Sequence, residues 1–274
     1  MPSRLSNARA DSPLFFHASS SLCFSSSLRR TRRRFCLSCC THAISHSRGQ
    51  ATRWVTSGTY GAEAAHKLEQ RIGRRIDTSG LLERKTLEAF EWDFQPKIDK
   101  SLILELARLD FVRRREDLVI TGMAGTGKSH ILKAFGMRAC EQAITMRYAR
   151  CVDLLDDLHA GLADGTYPRR LKAWARPDLL IIDDVGVGQV KKRDDEPTAA
   201  HTLYNIIDRR HGRVSTAVTS NIALSDWGRY LGDATITAAI LDRLAMHAIR
   251  IDVDGPSYRQ HVAKTRADKR AAKG

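Results

Sequence analysis

A glycine-rich segment at residues 122–129 combines residue types that bind phosphate groups. Glycines let backbone N–H groups turn towards phosphate oxygens without a Cβ clash, and the helix predicted from Lys128 points its positive N-terminal end at the same place. Lys128 is expected to reach the β- and γ-phosphates of ATP, and the Ser129 hydroxyl to hold Mg²⁺. The predicted nucleotide-binding residues are Gly122, Met123, Ala124, Gly125, Thr126, Gly127, Lys128 and Ser129.

A pair of carboxylates follows the apolar run at residues 179–182. The run predicts a buried strand, and ligands of open α/β sheets bind at the carboxyl ends of such strands. Asp183 is expected to bind Mg²⁺, commonly through water, and Asp184 to position or deprotonate the attacking water. The alternative is a strand that ends in a solvated acidic turn.

A polar residue after a later predicted strand could act on the same water. Asn221 follows the run at residues 215–219 and is the candidate sensor of the γ-phosphate, with Thr219 and Ser220 behind it. In the alternative interpretation, Asn221 caps a helix near residues 224–230, because asparagine is a common N-cap.

Two arginines are candidates for contact with the γ-phosphate. Arg243 is predicted to act as an arginine finger on a neighbouring subunit, and Arg259 as a sensor within its own subunit. A guanidinium in either place stabilises charge that develops during phosphoryl transfer. Arg209 and Arg210 are rival finger candidates, and surface salt bridges are the alternative for all of them.

The elements that must position these residues alternate between strand and helix. Strands separated by helices predict a parallel sheet with helices on both faces. The predicted strands lie at 118–121, 144–148, 179–182, 215–219 and 248–253, and the helices between them at 128–142, 152–162, 198–210 and 234–247. Ahead of this core, residues 98–112 predict one helix, and alternating aromatics at 90, 92 and 94 predict an extended segment.

Composition divides the chain into four parts. Residues 1–62 contain nine arginines and one acid, so they hold a formal charge of +8 out of +14, and their serine-rich, aperiodic sequence predicts disorder. A transit peptide and a mis-assigned start are alternatives for this tail. Residues 63–112 are predicted to form a helical pre-core segment, residues 113–261 the ATPase domain, and residues 262–274 a basic tail.

The cysteines and the hydropathy of the sequence indicate the cellular location. Cys36, Cys39 and Cys40 lack the second Cys-x-x-Cys half of a zinc module, so we interpret them as incidental. No disulfide framework is indicated, and no apolar run reaches the roughly 18 residues that a membrane span needs. A reducing, cytoplasmic location without a membrane partner is expected.

Taken together and in this order, the motifs resemble the IstB-like family of insertion-sequence helper ATPases and the related DnaC-type helicase loaders. The resemblance covers about residues 64–268 and implies a P-loop NTPase fold of the AAA+ type, with His130 placed beside the nucleotide-binding residues. It further implies self-assembly with ATP on duplex DNA and cooperation with a transposase. The motifs that carry it are 90–96, 122–130, 177–184 and the run from Thr219 through Trp227-Gly228, Gly232-Asp233 and Asp242-Arg243 to Arg259.

Three functions remain open at this stage: a transposition helper, a helicase loader and an ATP-binding switch that does not hydrolyse ATP. Many AAA+ proteins have Glu where this chain has Asp184, which keeps the switch in consideration. A loader needs an N-terminal docking module, for which residues 63–93 look too short. DNA contacts are expected to be mainly to phosphates. The candidates are Arg169, Arg170, Lys172, Lys191 and Lys192.

Overall fold

The computed structural model describes residues 57–189, 198–246 and 248–271. Most of the predicted tail at residues 1–62, Lys191 and Lys192 of the charged insert, and Cys36, Cys39 and Cys40 lie outside the described residues. The strands are β1 Asp117–Gly122, β2 Met146–Arg150, β3 Leu179–Val185, β4 Ser215–Ser220 and β5 Ala248–Val253.

Ten helices are found in the described part of the chain. They are α1 Ser57–Ser79, α2 Lys100–Leu106, α3 Asp110–Arg114, α4 Lys128–Glu141, α5 Cys151–Ala163, α6 Tyr167–Ala175, α7 Ala199–Arg210, α8 Trp227–Leu231, α9 Ala234–Met246 and α10 Tyr258–Ala271. No helix in these ranges is long and apolar enough to cross a bilayer.

The strands form one parallel sheet in the order β2-β3-β4-β1-β5. Successive residues of β3 alternate between the two faces, as a fully buried strand requires. Leu179 and Ile181 pack with α1, α4 and the pre-core segment, whereas Leu180 and Ile182 pack with α5, α7 and α9. This arrangement confirms the predicted α/β fold with helices on both faces of a parallel sheet.

The pre-core segment differs from its prediction in two places. Residues 98–112 form two short helices rather than one, because Leu109, which lies between them, has a left-handed backbone (φ 62°) that a continuous helix does not allow. The aromatics at 90–94 are not extended: Trp92–Phe94 is a 3₁₀ turn, in which Gln95 N donates to the Trp92 carbonyl at 3.0 Å. The prediction of an extended segment there is therefore wrong.

Two predicted segment boundaries fall inside helices. Helix α3 crosses the boundary at residue 112, and α10 crosses the one at residue 261, so most of the basic C-terminal segment is helical. Helix α6, between β2 and β3, is an element that the sequence pattern does not single out.

Candidate nucleotide-binding site

The phosphate loop connects the end of β1 to the start of α4. Gly125 and Gly127 have φ values of +86° and +99°, which L side chains rarely adopt. Space is restricted as well: a Cβ at Gly125 would lie 2.2 Å from Ser257 Oγ, and one at Gly127 would lie 2.7 Å from the Phe90 ring. The loop therefore requires glycine at both positions, and its shape depends on residues before and after the core.

Lys128 folds back into this loop. Its ammonium donates to the carbonyls of Gly122 (2.8 Å) and Met123 (2.7 Å), and only 3% of the residue is exposed. Burial lowers the pKa of Lys128 to about 8, although the charges of Asp184 and Asp183 act in the opposite direction. The site thus holds a cation at the N-terminus of α4, where the helix dipole also favours an anion.

Asp183 is the centre of the hydrogen-bond network at the sheet edge and is 1% exposed. Its Oδ1 accepts from the hydroxyl of Ser129 at 2.9 Å and from that of Thr219, and its Oδ2 accepts from the hydroxyl of Tyr148 at 2.7 Å. Tyr148 is on β2, Thr219 is on β4 and Ser129 is at the start of α4. This carboxylate of β3 therefore connects the ends of three adjacent strands to the phosphate loop. A hydroxyl and a carboxylate oxygen in contact form a donor set that suits Mg²⁺.

A bulge in β3 turns the next carboxylate towards the same edge. Residues Ile182 and Val185 pair with Val218 and Ser220, so β3 has one residue more than β4 over this stretch. Asp184 takes the left-handed conformation (φ 60°), and its backbone N–H donates to Thr219 Oγ1 at 2.8 Å. Aspartate tolerates this conformation better than most residues do.

Asn221 is tied to Asp184 rather than to a helix end. Its Nδ2 donates to Asp184 Oδ1 at 2.8 Å. The turn that follows has Ala223 at its N-cap position and no side-chain cap, so Asn221 does not cap it and that alternative is wrong. The Ser220 hydroxyl, in contrast, accepts from the Trp227 indole at 3.0 Å and donates to the Ile222 carbonyl at 2.6 Å.

His130 contacts the pre-core segment. Its Nε2 donates to the Thr86 carbonyl at 2.8 Å, and its ring lies edge-on to Phe90 with 5.3 Å between centroids. Met123, another of the predicted nucleotide-binding residues, is 70% exposed. His130 therefore connects α4 to the pre-core segment, and its place among the nucleotide-binding residues stays a prediction.

The candidate arginines occupy three different environments. Arg259, at the start of α10, is close enough to Lys128 to lower its pKa further. Arg243, on α9, pairs with Asp208 at 2.9 Å and donates to the Tyr204 hydroxyl at 2.7 Å. Arg210 is fully buried, with donors on the carbonyls of residues 175 and 177 and on Thr216, so it is no finger candidate.

Tyr148 is a site residue that the motifs do not identify. Burial, followed by the hydrogen bond to Asp183, raises its pKa well above the usual range, so the phenol stays a donor. The available signal was its place near the end of β2, since the carboxyl ends of parallel strands meet at one edge. Only the pairing of β2 with β3 brings the two residues together.

The fold and this site define a P-loop nucleotide-binding protein of the AAA+ type. The chain belongs to the family of IstB-like ATP binding proteins, whose pattern it matches over residues 45–267.

Curated relatives carry the names of insertion sequences. A protein of Geobacillus stearothermophilus, named as an ATP-binding protein of insertion sequence IS5376, is 32% identical over 208 residues, which cover 76% of this chain and 81% of that protein. One of Bacillus thuringiensis, named for insertion sequence IS232, is 33% identical over 176 residues, covering 64% of this chain and 68% of that protein.

Solved structures show the same fold at low sequence identity. AMPPCP-bound DnaA from Aquifex aeolicus superimposes with a TM-score of 0.52 at 18% identity, over 69% of this chain and 56% of that one. The chain thus spans just over half of that protein's length.

Proposed function

We propose that this protein hydrolyses ATP and binds duplex DNA as the helper of a transposase. The observation that carries the proposal is the continuous network from the phosphate loop through Ser129 and Asp183 to Thr219, Asp184 and Asn221. Such a network supports a site in which Lys128 is the cation, Asp183 would bind the metal and Asp184 would position the attacking water. A protein that only binds ATP does not need a residue that positions the attacking water.

Each residue has a distinct role in this proposal. Lys128 and the loop N–H groups bind the β- and γ-phosphates, and Ser129 and Asp183 would hold Mg²⁺, which supplies charge neutralisation at the phosphates when bound. Asp184, oriented by Asn221, accepts a hydrogen bond and then the proton of the attacking water. Arg259 stabilises charge on the γ-phosphate from its own subunit, and Arg243 from a neighbouring one.

The partners follow from the family and from the charge. Relatives of this chain are named as ATP-binding proteins of insertion sequences, which favours a transposase as partner, and a formal charge of +14 favours a polyanion. Among the candidate DNA contacts, Arg170 is held by Asp157 (2.5 Å) and Asp164 (2.8 Å), whereas Arg169 and Lys172 are exposed. The proposal includes an ATP-dependent homo-oligomer, because a finger arginine acts between subunits, and a cytoplasmic location.

The test is the rate of phosphate release by the full chain with and without duplex DNA, beside Lys128→Ala and Asp184→Asn. We expect turnover that DNA stimulates and that both substitutions abolish. Asp184→Asn should still bind a fluorescent ATP analogue, whereas Lys128→Ala should not. Turnover that survives Asp184→Asn would remove the proposed role of that carboxylate.

A second candidate function is a DNA-binding switch that binds ATP without turning it over. It is favoured by one feature, the side chain of Asp184, which is one methylene shorter than the glutamate of many AAA+ proteins. The same assay separates the two functions, because tight ATP binding without phosphate release at any DNA concentration is the result that the switch requires.

A further inference from the structure

The last helix of the described chain has an unusual surface. Helix α10 has no buried residue, and it contains one acid, Asp268. Its basic residues are all exposed, and they are Arg259, Lys264, Arg266, Lys269 and Arg270. A helix with this composition gains little from packing, so its cations are available to a partner outside the chain.

The cations of α10 beyond its first turn are not paired with acids in the described part of the chain. Some exposed basic residues elsewhere form ion pairs, for example Arg138 with Glu88 at 2.8 Å and Arg150 with Asp153 at 2.7 Å, whereas Arg169 and Lys172 on α6 form none with the described residues. Within the described ranges, Lys264, Arg266, Lys269 and Arg270 form no ion pair. Their charge is therefore not neutralised by this chain's described acids.

Helical spacing separates the contact side of α10 from a basic side. The half-buried residues Tyr258, Val262 and Thr265 are spaced i, i+4 and i+7, so they face the body of the protein together. Arg266 and Arg270 follow Arg259 at i+7 and i+11, and they share a different side of the helix. The basic side thus begins at the nucleotide site and continues along α10 away from it.

The start of α10 is fixed to the phosphate loop. The backbone N–H of Tyr258 donates to the Gly125 carbonyl at 2.9 Å, and Phe94 packs on the rings of Tyr258 (5.3 Å) and His261 (4.8 Å). The first turn of α10 therefore contacts the phosphate loop directly, so a ligand bound to α10 would lie on the helix that touches the nucleotide-binding site.

We propose that α10 is the duplex-DNA docking surface of this protein and that Arg266 and Arg270, on its basic side, contact the phosphate backbone. This inference rests on the DNA binding in the proposed function and adds the place where it occurs. Fourteen residues make a helix about 21 Å long. Duplex DNA presents about a dozen phosphates over that length, so the arginines of the basic side find partners without base recognition.

The test compares two double substitutions of equal charge in the full chain. The first is Arg266→Gln and Arg270→Gln on α10; the second is Arg169→Gln and Lys172→Gln on α6, which removes the rival candidate DNA contacts. Glutamine is a good helix former, so both helices should persist. Binding to a fluorescent duplex is measured across a salt series with ATP present, and binding of a fluorescent ATP analogue checks the site.

For the α10 variant, we expect weaker duplex binding for every DNA sequence, and a slope of log affinity against log salt that is shallower by about 1 per removed contact. Nucleotide affinity should be unchanged, and the α6 variant should resemble the wild type. An α10 variant that keeps the wild-type affinity and slope would overturn the inference, whether or not the α6 variant loses binding. Binding to phosphatidylserine vesicles is measured in parallel. If the α10 substitutions weaken vesicle binding but leave duplex binding unchanged, the inference is also overturned.

Failure of the proposed function gives a different result. If the wild-type chain binds no duplex with any nucleotide, both the DNA-binding function and its assignment to α10 fall. If the wild type binds and only the α6 variant does not, the function stands and the docking surface is α6.

Discussion

The phenol of Tyr148 donates a hydrogen bond to Oδ2 of Asp183 at 2.7 Å, while Ser129 and Thr219 donate to Oδ1. The carboxylate is buried, so each of its oxygens depends on a protein donor. Tyr148 lies on β2 at the edge of the sheet, and through this bond an edge strand supports a residue in the middle of the nucleotide site.

Tyr148→Phe is expected to lower the free energy of unfolding by about 1–3 kcal/mol, because a buried charged oxygen loses its donor while ring packing is kept. Chemical denaturation measures the change. Tyr230→Phe is the matched control, since it removes a bond to the Val187 carbonyl (3.1 Å) that involves no charged group. If both variants lose the same free energy of unfolding, the bond from Tyr148 to Asp183 stabilises the protein no more than a bond between uncharged groups does.

Asn221→Ala is expected to lower kcat about a hundredfold with little change in ATP affinity, because Asp184 loses the donor that orients it. Steady-state phosphate release and equilibrium binding of a fluorescent ATP analogue separate the two effects. Asn205→Ala provides a control, as this asparagine donates to Tyr167 on α6, remote from the sheet edge. A rise in the dissociation constant of ATP with unchanged kcat would instead make Asn221 a binding residue.

The phosphate loop and the two aspartates could be predicted from sequence because each is set by adjacent residues. A glycine-rich turn between strand and helix, and acids after an apolar run, place these groups whatever the rest of the chain does. Tyr148 and Phe90 could not be found in this way. Their contacts with Asp183 and Gly127 depend on which strand pairs with β3 and on where a pre-core turn packs.

Errors in the pre-core segment have the same cause. Aromatics at alternate positions satisfy a strand pattern, yet Phe90 packs on Trp92 (4.7 Å) and Phe94 packs on α10, as a 3₁₀ turn permits. Apolar spacing likewise continues across Leu109, whose positive φ breaks the helix. Tertiary packing, rather than local preference, decided both outcomes.

ATP binding is expected to weaken as pH rises through about 8, the pKa to which burial lowers Lys128. Bound phosphates favour the charged amine, so the complex holds more protons than the free protein and affinity must fall with increasing pH. Calorimetry in two buffers of different ionisation enthalpy should detect proton uptake on binding. Lys128→Arg stays protonated, so its affinity, whatever its value, should be constant over the same range.

Arg210→Ala is expected to destabilise the protein by about 3 kcal/mol or more, because the carbonyls of Ala175 and Pro177 and the Thr216 hydroxyl lose a buried donor, and each buried group left unpaired costs about 1–3 kcal/mol. Burial lowers the pKa of Arg210 to about 10, and the residue remains charged at neutral pH. Arg209→Ala, an exposed neighbour on the same helix, should change stability by no more than about 0.5 kcal/mol. Thermal unfolding compares the two, and similar melting temperatures would contradict the prediction.

Arg243 tests whether subunits complete each other's sites. In its own chain it is held by Asp208 and Tyr204 of α7, and the buried apolar residues of α7 and α9 belong to a different core cluster from those of α4. Arg243→Ala and Lys128→Ala should each be inactive for different reasons, since one lacks the finger and the other lacks nucleotide binding. Mixing them should restore part of the ATPase rate, because Lys128→Ala still presents Arg243 to a neighbour whose own site is intact.

The control for this experiment is Asp208→Asn, which removes the ion pair but leaves the guanidinium. If Arg243 is a finger, that variant should keep most of its activity. If Arg243 only connects α9 to α7 through its ion pair, Asp208→Asn and Arg243→Ala should lose similar stability. Mixing Arg243→Ala with Lys128→Ala should then restore no ATPase activity. Phosphate release measured across mixing ratios distinguishes the two roles, because restoration between subunits passes through a maximum at intermediate ratios.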